Sequence, residues 1–202
     1  MAEKPLGNVD RGTLFVLSAP AGTGKTTLVR MLCDEFPCVV RSVSCTTRAP
    51  RTGEVQGRDY WFLTPEQFQE KVEADEFLEH ATVFGHCYGT TRTHVAQQQS
   101  KGRHVVLVID TQGALQLQKQ EGIDAVFIFV SPPNLQELRE RLFKRKTETP
   151  ELIEQRLSWA QREMALARFY DYHIVNQNLQ VAYDVLRSIV VAEEHRTHKE
   201  ER

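Results

Sequence analysis

Ser18-Ala19-Pro20-Ala21-Gly22-Thr23-Gly24-Lys25-Thr26-Thr27 is the stretch of this chain whose residue types are best suited to chemistry. It follows the spacing GxxxxGK[ST], with Ala19 in place of the first glycine. Such a loop curls successive backbone N–H groups around a phosphate at the start of a helix. Gly22 and Gly24 permit the tight path. Lys25 is placed to reach the β- and γ-phosphates of a nucleoside triphosphate, and Thr26 to hold Mg²⁺ through its hydroxyl. The loop names a donor class and leaves the acceptor open.

A second constellation follows. Ser44-Cys45-Thr46-Thr47-Arg48-Ala49-Pro50-Arg51 precedes Gly53-Glu54, Gly57, Asp59-Tyr60 and Phe62. Two guanidinium forks and a phenol can together grip a tetrahedral phosphate. The same residues also suit a solvated basic loop or a nucleic-acid patch. A second phosphate site beside the first loop is the simpler account.

The elements that must position these residues are legible in outline. Thr13 to Ser18 is a short apolar, β-favouring run, and Thr26 to Phe36 has the apolar spacing of a helix that Pro37 stops. Val105 to Ile109, Val126 to Val130 and His173 to Val175 are further strand candidates, apolar on both faces as in a parallel sheet covered by helices. Between Ser42 and Ala96 the texture turns Gly- and Arg-rich with short alternating runs, such as Arg58 to Phe62, which predicts an inserted lobe. Within it, Thr64-Pro65-Glu66-Gln67 opens a helix with a cap, a proline at N1 and a capping box. Asn134 caps a helix to Lys144, Thr149-Pro150 opens another to about Arg168, and Leu179 to Glu194 is a third. The charged segment Lys144 to Glu148 is expected to be a mobile flap, and the polar residues after His195 to fray.

Composition limits the function classes. The chain has 202 residues with 25 Lys plus Arg against 27 Asp plus Glu, a formal net charge of -2. A general nucleic-acid binder is usually more basic. No apolar run is long enough to span a bilayer, and the amino-terminal MAEKPLGNVDRG has no signal core, so a cytoplasmic protein without membrane or nucleic-acid partners is expected. Cys33, Cys38, Cys45 and Cys87 form no CxxC pair and read as reduced thiols.

Taken jointly, the motifs resemble those of the guanylate kinases. To the phosphate loop and the TTRAPRTGEVQGRDYWF segment the chain adds Glu79 with Tyr88-Gly89-Thr90, and Ile109-Asp110-Thr111-Gln112-Gly113. It also has Arg141-Leu142, Arg145, Thr147-Glu148 and Arg156-Leu157, similar to the family's lid signature. The resemblance covers about residues 12 to 192. It implies an α/β fold: a three-layer core with a parallel sheet, a small mixed-sheet lobe for GMP and a mobile lid. Residues 1–202 would form one domain, with core segments 12–41 and 97–192, the inserted lobe at 42–96 and the lid at 141–156.

The resemblance also implies roles. ATP would lie on Ala19 to Thr27 with Asn176 near it. Arg48, Arg51, Tyr60 and Tyr88 would hold the GMP phosphate, with Ser44 near the base–phosphate pocket. Glu79 and Thr90 would contact guanine, and Asp110 would lie close to both base and metal. Lys25, Arg48, Arg141, Arg145 and Arg156 would serve the transferring phosphoryl group. ATP and GMP would be the small-molecule partners, with Mg²⁺ as cofactor and no obligatory protein partner. The nucleophile, a phosphate oxygen, is largely deprotonated near pH 7, so His80 and His86 need not act as bases.

The chain departs from the family pattern at Val108, where an aspartate is usual, at Lys146 in the lid, and at Gln177-Asn178. Other readings of the same residues are a kinase for another phosphorylated small molecule, a catalytically weak interaction domain, and a nucleic-acid-dependent NTPase. The intact Gly24-Lys25-Thr26 argues against the interaction domain.

Overall fold

Side chains along Leu14 to Ser18 alternate between two buried faces, and the layered architecture follows from that. The computed structural model describes residues 5–144 and 149–197. In chain order its elements are β1 (Leu14–Ser18), α1 (Lys25–Glu35), β2 (Val39–Arg41), β3 (Cys45–Thr46), β4 (Trp61–Phe62), α2 (Pro65–Glu73), β5 (Phe77–Val83), β6 (His86–Thr91), α3 (Arg92–Gln99), β7 (His104–Val108), α4 (Thr111–Gln118), β8 (Ala125–Ser131), α5 (Leu135–Lys144), α6 (Pro150–Ala165), β9 (Tyr172–Val175) and α7 (Leu179–Glu194). A short 3-10 turn, Leu166–Phe169, follows α6.

Five strands form a parallel sheet in the order β2-β7-β1-β8-β9. Phe15 and Leu17 face one way, into a core shared with Leu28 and Leu32 of α1 and Leu186 and Val190 of α7. Leu14 and Val16 face the other way, with Val95 of α3, Ala114 and Leu117 of α4 and Tyr170. Each fully buried Leu, Val or Phe contributes about 1.5–3 kcal/mol by leaving water. A helix layer on each face is what a sheet apolar on both sides requires.

The second sheet, β4-β3-β6-β5, is mixed: β3 runs parallel to β4 and antiparallel to β6. α2 packs on it through Phe68, whose ring stacks on Phe77. The predicted capping box is formed, with Gln67 N donating to Thr64 and Thr64 N donating to Gln67. Asn134 also caps α5 as its position predicts, accepting from Glu137 N.

Some expectations need correction. The short strand β2 and the helices α3 and α4 were not anticipated. The strand expected over Arg58 to Phe62 is only Trp61–Phe62, because the turn before it is held by hydrogen bonds from Gly57, Arg58 and Asp59. α6 ends at Ala165, short of Arg168, where the chain tightens into the 3-10 turn. The charged segment that includes Arg145 and Lys146 falls at 145–148, outside the described residues. Among the described residues, no helix is long and apolar enough to cross a membrane.

One buried polar cluster joins the ends of the chain. His104 on β7 accepts from Thr13 N at Nδ1, so Nε2 carries the proton and donates to Glu194 at 2.6 Å. Glu194 also accepts from the backbone N–H of Gly7 and of Asn8. Both side chains of the His–Glu pair are sealed from solvent.

Candidate active site

β1 lies centrally in the parallel sheet, and the chain beyond its carboxyl end forms the glycine-rich loop. This is the edge at which open α/β sheets bind ligands. Gly22 and Gly24 have φ of +90° and +100°, a left-handed backbone that side chains resist. Ala19 is not among the positive-φ residues, so its methyl group costs nothing at the first glycine position of the pattern. α1 begins at Lys25 without a side-chain cap and without an acid in its first turn. Its amino-terminal N–H groups therefore suit an anion. Pro20 to Thr27 line a concavity of about 240 Å³.

The loop is braced from behind. The buried Asn176, just past β9, donates from Nδ2 to the carbonyl of Thr23 at 2.7 Å. Its own carbonyl accepts from Arg141 of α5. Asn176 thus supports the loop backbone, while Arg141, also paired with Glu137, lines neither the loop concavity nor the main cleft. Lys25 folds back to donate from Nζ to the carbonyl of Ala19.

Facing the loop is a cleft of about 260 Å³ between the two sheets. Lys25 and Thr26 enter it from one side. Ser44, Arg51, Tyr60, Tyr88 and Glu79 enter from the second sheet, Asp110 from the end of β7 and Arg156 from α6. The rings of Tyr60 and Tyr88 meet edge to face at 6.0 Å. Arg48 does not line this cavity. Its guanidinium is held by Glu54 at 2.9 and 3.0 Å and lies 5.4 Å from the centre of the Tyr60 ring. Its charged form is favoured by the Glu54 bond first and by Tyr88.

Glu79 is 4% exposed. Burial pushes its carboxyl up to about 7, nearby Asp110 adds to the rise, and hydrogen bonding with Thr90 opposes it. Thr90 is itself buried and lies 3.4 Å from the Ser44 hydroxyl. Asp110 is the N-cap of α4 and not part of the strand. Its Oδ1 accepts from Gly113 N at 3.0 Å and its Oδ2 from Gln112 at 3.1 Å. Burial raises its pKa, while these hydrogen bonds and Lys25 pull the other way.

A guanylate kinase family model matches residues 11–193. The chain belongs to the guanylate kinase family. It is 56% identical over 195 residues to the guanylate kinase of Protochlamydia amoebophila (strain UWE25), covering 96% of this chain and 98% of that one. It is 45% identical over 186 residues to that of Geobacter sulfurreducens, covering 92% and 91%. The crystal structure of guanylate kinase from Anaplasma phagocytophilum superposes with a TM-score of 0.76 at 36% identity, covering 93% of this chain and 89% of that one.

Three features of this guanylate kinase-family cleft escaped the sequence reading. Glu163 of α6 joins Lys25, Asp110, Thr111, Arg156 and Trp159 around a small cavity beside the main cleft. Burial pushes its carboxyl up to about 7, opposed by Lys25. The spacing Arg156, Trp159, Glu163 puts all three on one helical face. Phe84, at the tip of the β5–β6 hairpin, lines both cavities. Gly113 gives Glu79 its room: a Cβ there would lie 2.4 Å from Glu79 Oε2.

Proposed function

We infer that the chain transfers the γ-phosphoryl group of ATP to GMP, giving ADP and GDP. The observation that carries this is the cleft itself, where the phosphate loop faces Arg51, Tyr60 and Tyr88 with a buried carboxylate, Glu79, deeper in the same space. The segment 42–96 is the acceptor lobe in this reading, and 141–156 carries closing arginines.

Two polyanions must approach each other here. Lys25 and the loop N–H groups take the donor phosphates, and Arg51 with the two tyrosines takes the acceptor phosphate. Arg48 reaches the acceptor by exchanging Glu54 for phosphate, and Arg141 and Arg156 meet the transferring group. Asn176 keeps the loop shape that these contacts need. No side chain has to remove a proton from the nucleophile, so rate comes from alignment and charge stabilisation. Lys25 must leave the carbonyl of Ala19 to do this, a switch that a phosphate oxygen drives by offering a charged partner.

Guanine presents N1–H and a 2-amino group, and a carboxylate accepts both. Adenine offers a lone pair at N1 and no 2-amino group. Glu79 therefore selects guanine by about 1–3 kcal/mol for a good bidentate pair, with Thr90 fixing the carboxylate.

The residues present fit Mg²⁺. Thr26 and Asp110 supply a hydroxyl and a carboxylate, both hard oxygen donors, and phosphates and water complete such a shell. When bound, Mg²⁺ offsets phosphate charge. Val108 half-faces the cleft and offers no oxygen, so β7 brings one carboxylate, Asp110, to its end.

An initial-rate screen of GMP, dGMP, AMP, CMP and UMP with Mg-ATP tests the reading. Turnover confined to the guanine nucleotides is the expected result. Comparable rates with AMP would overturn the role of Glu79.

A further inference from the structure

Phe84 occupies a backbone conformation that a phenylalanine rarely takes. Its φ is +49°, and Gly85 follows at +78°. Val83 pairs with His86 across them, so Phe84-Gly85 is a two-residue hairpin turn with both φ positive. That turn prefers Asn-Gly or Asp-Gly, and an aromatic residue at its first position carries strain. Strain of this kind persists where surrounding contacts hold it, and it concentrates at functional sites.

The contacts that hold Phe84 cross the cleft. Its ring lies 5.4 Å from the ring of Trp159 on α6, at an interplanar angle of 47°. The guanidinium carbon of Arg156, one helical turn away on the same face, lies 5.5 Å from the centre of the Phe84 ring. Phe84 and Trp159 are nevertheless 40% and 38% exposed, so they are not core residues. They are large apolar groups kept at the mouth of a polar site, joining the second sheet to the helix that bears an arginine.

We propose that Phe84 and Trp159 form an aromatic clasp across the cleft, with Phe84 a positioning residue for Arg156. The ring face of Phe84 holds the guanidinium by cation–π attraction at the cleft wall. Trp159 sets the distance between the hairpin tip and α6. Together they aim Arg156 into the space between the phosphate loop and the acceptor residues, and they cover that space with apolar surface. The clasp rests on the reading of Arg156 as a phosphoryl contact.

The test uses the full chain in a Trp61→Phe background, so that Trp159 is the only tryptophan. Phe84→Asn removes the ring and supplies a residue that the turn prefers. Relieved strain offsets the lost contact, and Tm stays within about 3 °C. The expected result is a kcat lower by about fivefold or more, with KM for GMP changed less than about twofold. Trp159 emission shifts to the red and becomes easier to quench. Phe84→Tyr, which keeps the ring, restores both turnover and emission. Normal turnover in Phe84→Asn beside an impaired Arg156→Ala would overturn the clasp alone. Near-normal turnover in Arg156→Ala would overturn the reading on which the clasp rests. A kcat loss accompanied by a large fall in Tm, with no rescue by Phe84→Tyr, would reduce Phe84 to a structural role and overturn the proposal.

Discussion

Gly113→Ala is a direct test of Glu79 as the proposed guanine-recognition carboxylate. Gly113 lies in the first turn of α4 with an ordinary helical backbone, so alanine there gains about 1 kcal/mol of helix propensity. The cost falls on one neighbour. The new Cβ would lie 2.4 Å from Glu79 Oε2, where ordinary contact begins at 3.4 Å, so the carboxylate must retreat by about 1 Å. Glu79 is buried, and its hydrogen bonding with Thr90 opposes retreat to one side. What remains is movement into the space guanine would fill. A displacement of this size can cost up to about a hundredfold in a positioned site. Losing the bidentate pair costs about 1–3 kcal/mol, or roughly five- to 150-fold in affinity. Calorimetric titration should show GMP weakened within that range, ATP changed less than about twofold, and Tm nearly unchanged. A second change, Glu79→Asp, draws the carboxylate back by one methylene and should recover part of the GMP affinity in the double variant. Unaltered GMP binding by a folded Gly113→Ala protein would refute the placement of guanine against Glu79. Equal losses for ATP and GMP would mean that α4 had moved as a whole.

Arg51→Ala should weaken GMP by about 1.5–3 kcal/mol while sparing ATP if Arg51, which lines the cleft with the second sheet, holds the acceptor phosphate as proposed; titration with each nucleotide separates the two. With its carboxyl raised to about 7, Glu79 holds a proton below neutral pH and cannot accept both guanine donors, so kcat/KM for GMP should climb as pH rises through 7. Glu79→Gln should lose that step and keep the one from the GMP phosphate near about 6. For stability the sign is opposite: the folded state binds this proton more tightly than the unfolded chain, so the contribution is present at low pH and is lost as pH rises through 7. Asp110→Asn should lower kcat by about tenfold or more and raise the Mg²⁺ requirement, because Val108 offers no second carboxylate; normal kcat across a Mg²⁺ titration would rule out a metal role for Asp110.

The phosphate loop was legible because its function forces a local pattern: positive-φ glycines, then a lysine, between an apolar strand and a helix. The segment proposed to take the acceptor stands out for a similar reason, as arginines and tyrosine crowd one turn-rich stretch. α3 was missed because Arg92–Gln99 buries only Val95 and Gln99, too little to show a period. α4 was missed because glycine and glutamines interrupt its apolar face, and its start depends on Asp110, which reads equally well as the end of a strand. Glu163 and Trp159 could not be assigned from spacing alone. Their meaning comes from where α6 crosses the cleft, which tertiary packing decides. For Asn176 only the resemblance suggests a donor role; its side-chain amide bonded to the loop backbone depends on tertiary packing that the sequence does not display.

The cluster around His104 bears on how the chain can be shortened. The family match runs from 11 to 193, yet Gly7, Asn8 and Glu194, which complete that cluster, all lie beyond it. A fragment trimmed to the matched boundaries would take the Glu194 acceptor away from His104 Nε2–H and strip Leu6 from the core. A hydrogen bond to a charged carboxylate of that kind contributes about 1.5–3 kcal/mol, a sizeable share of the stability of a domain of this size. The edge of the folding unit is therefore drawn by hydrogen bonds between distant ends, four residues before the matched span at one end and one residue past it at the other.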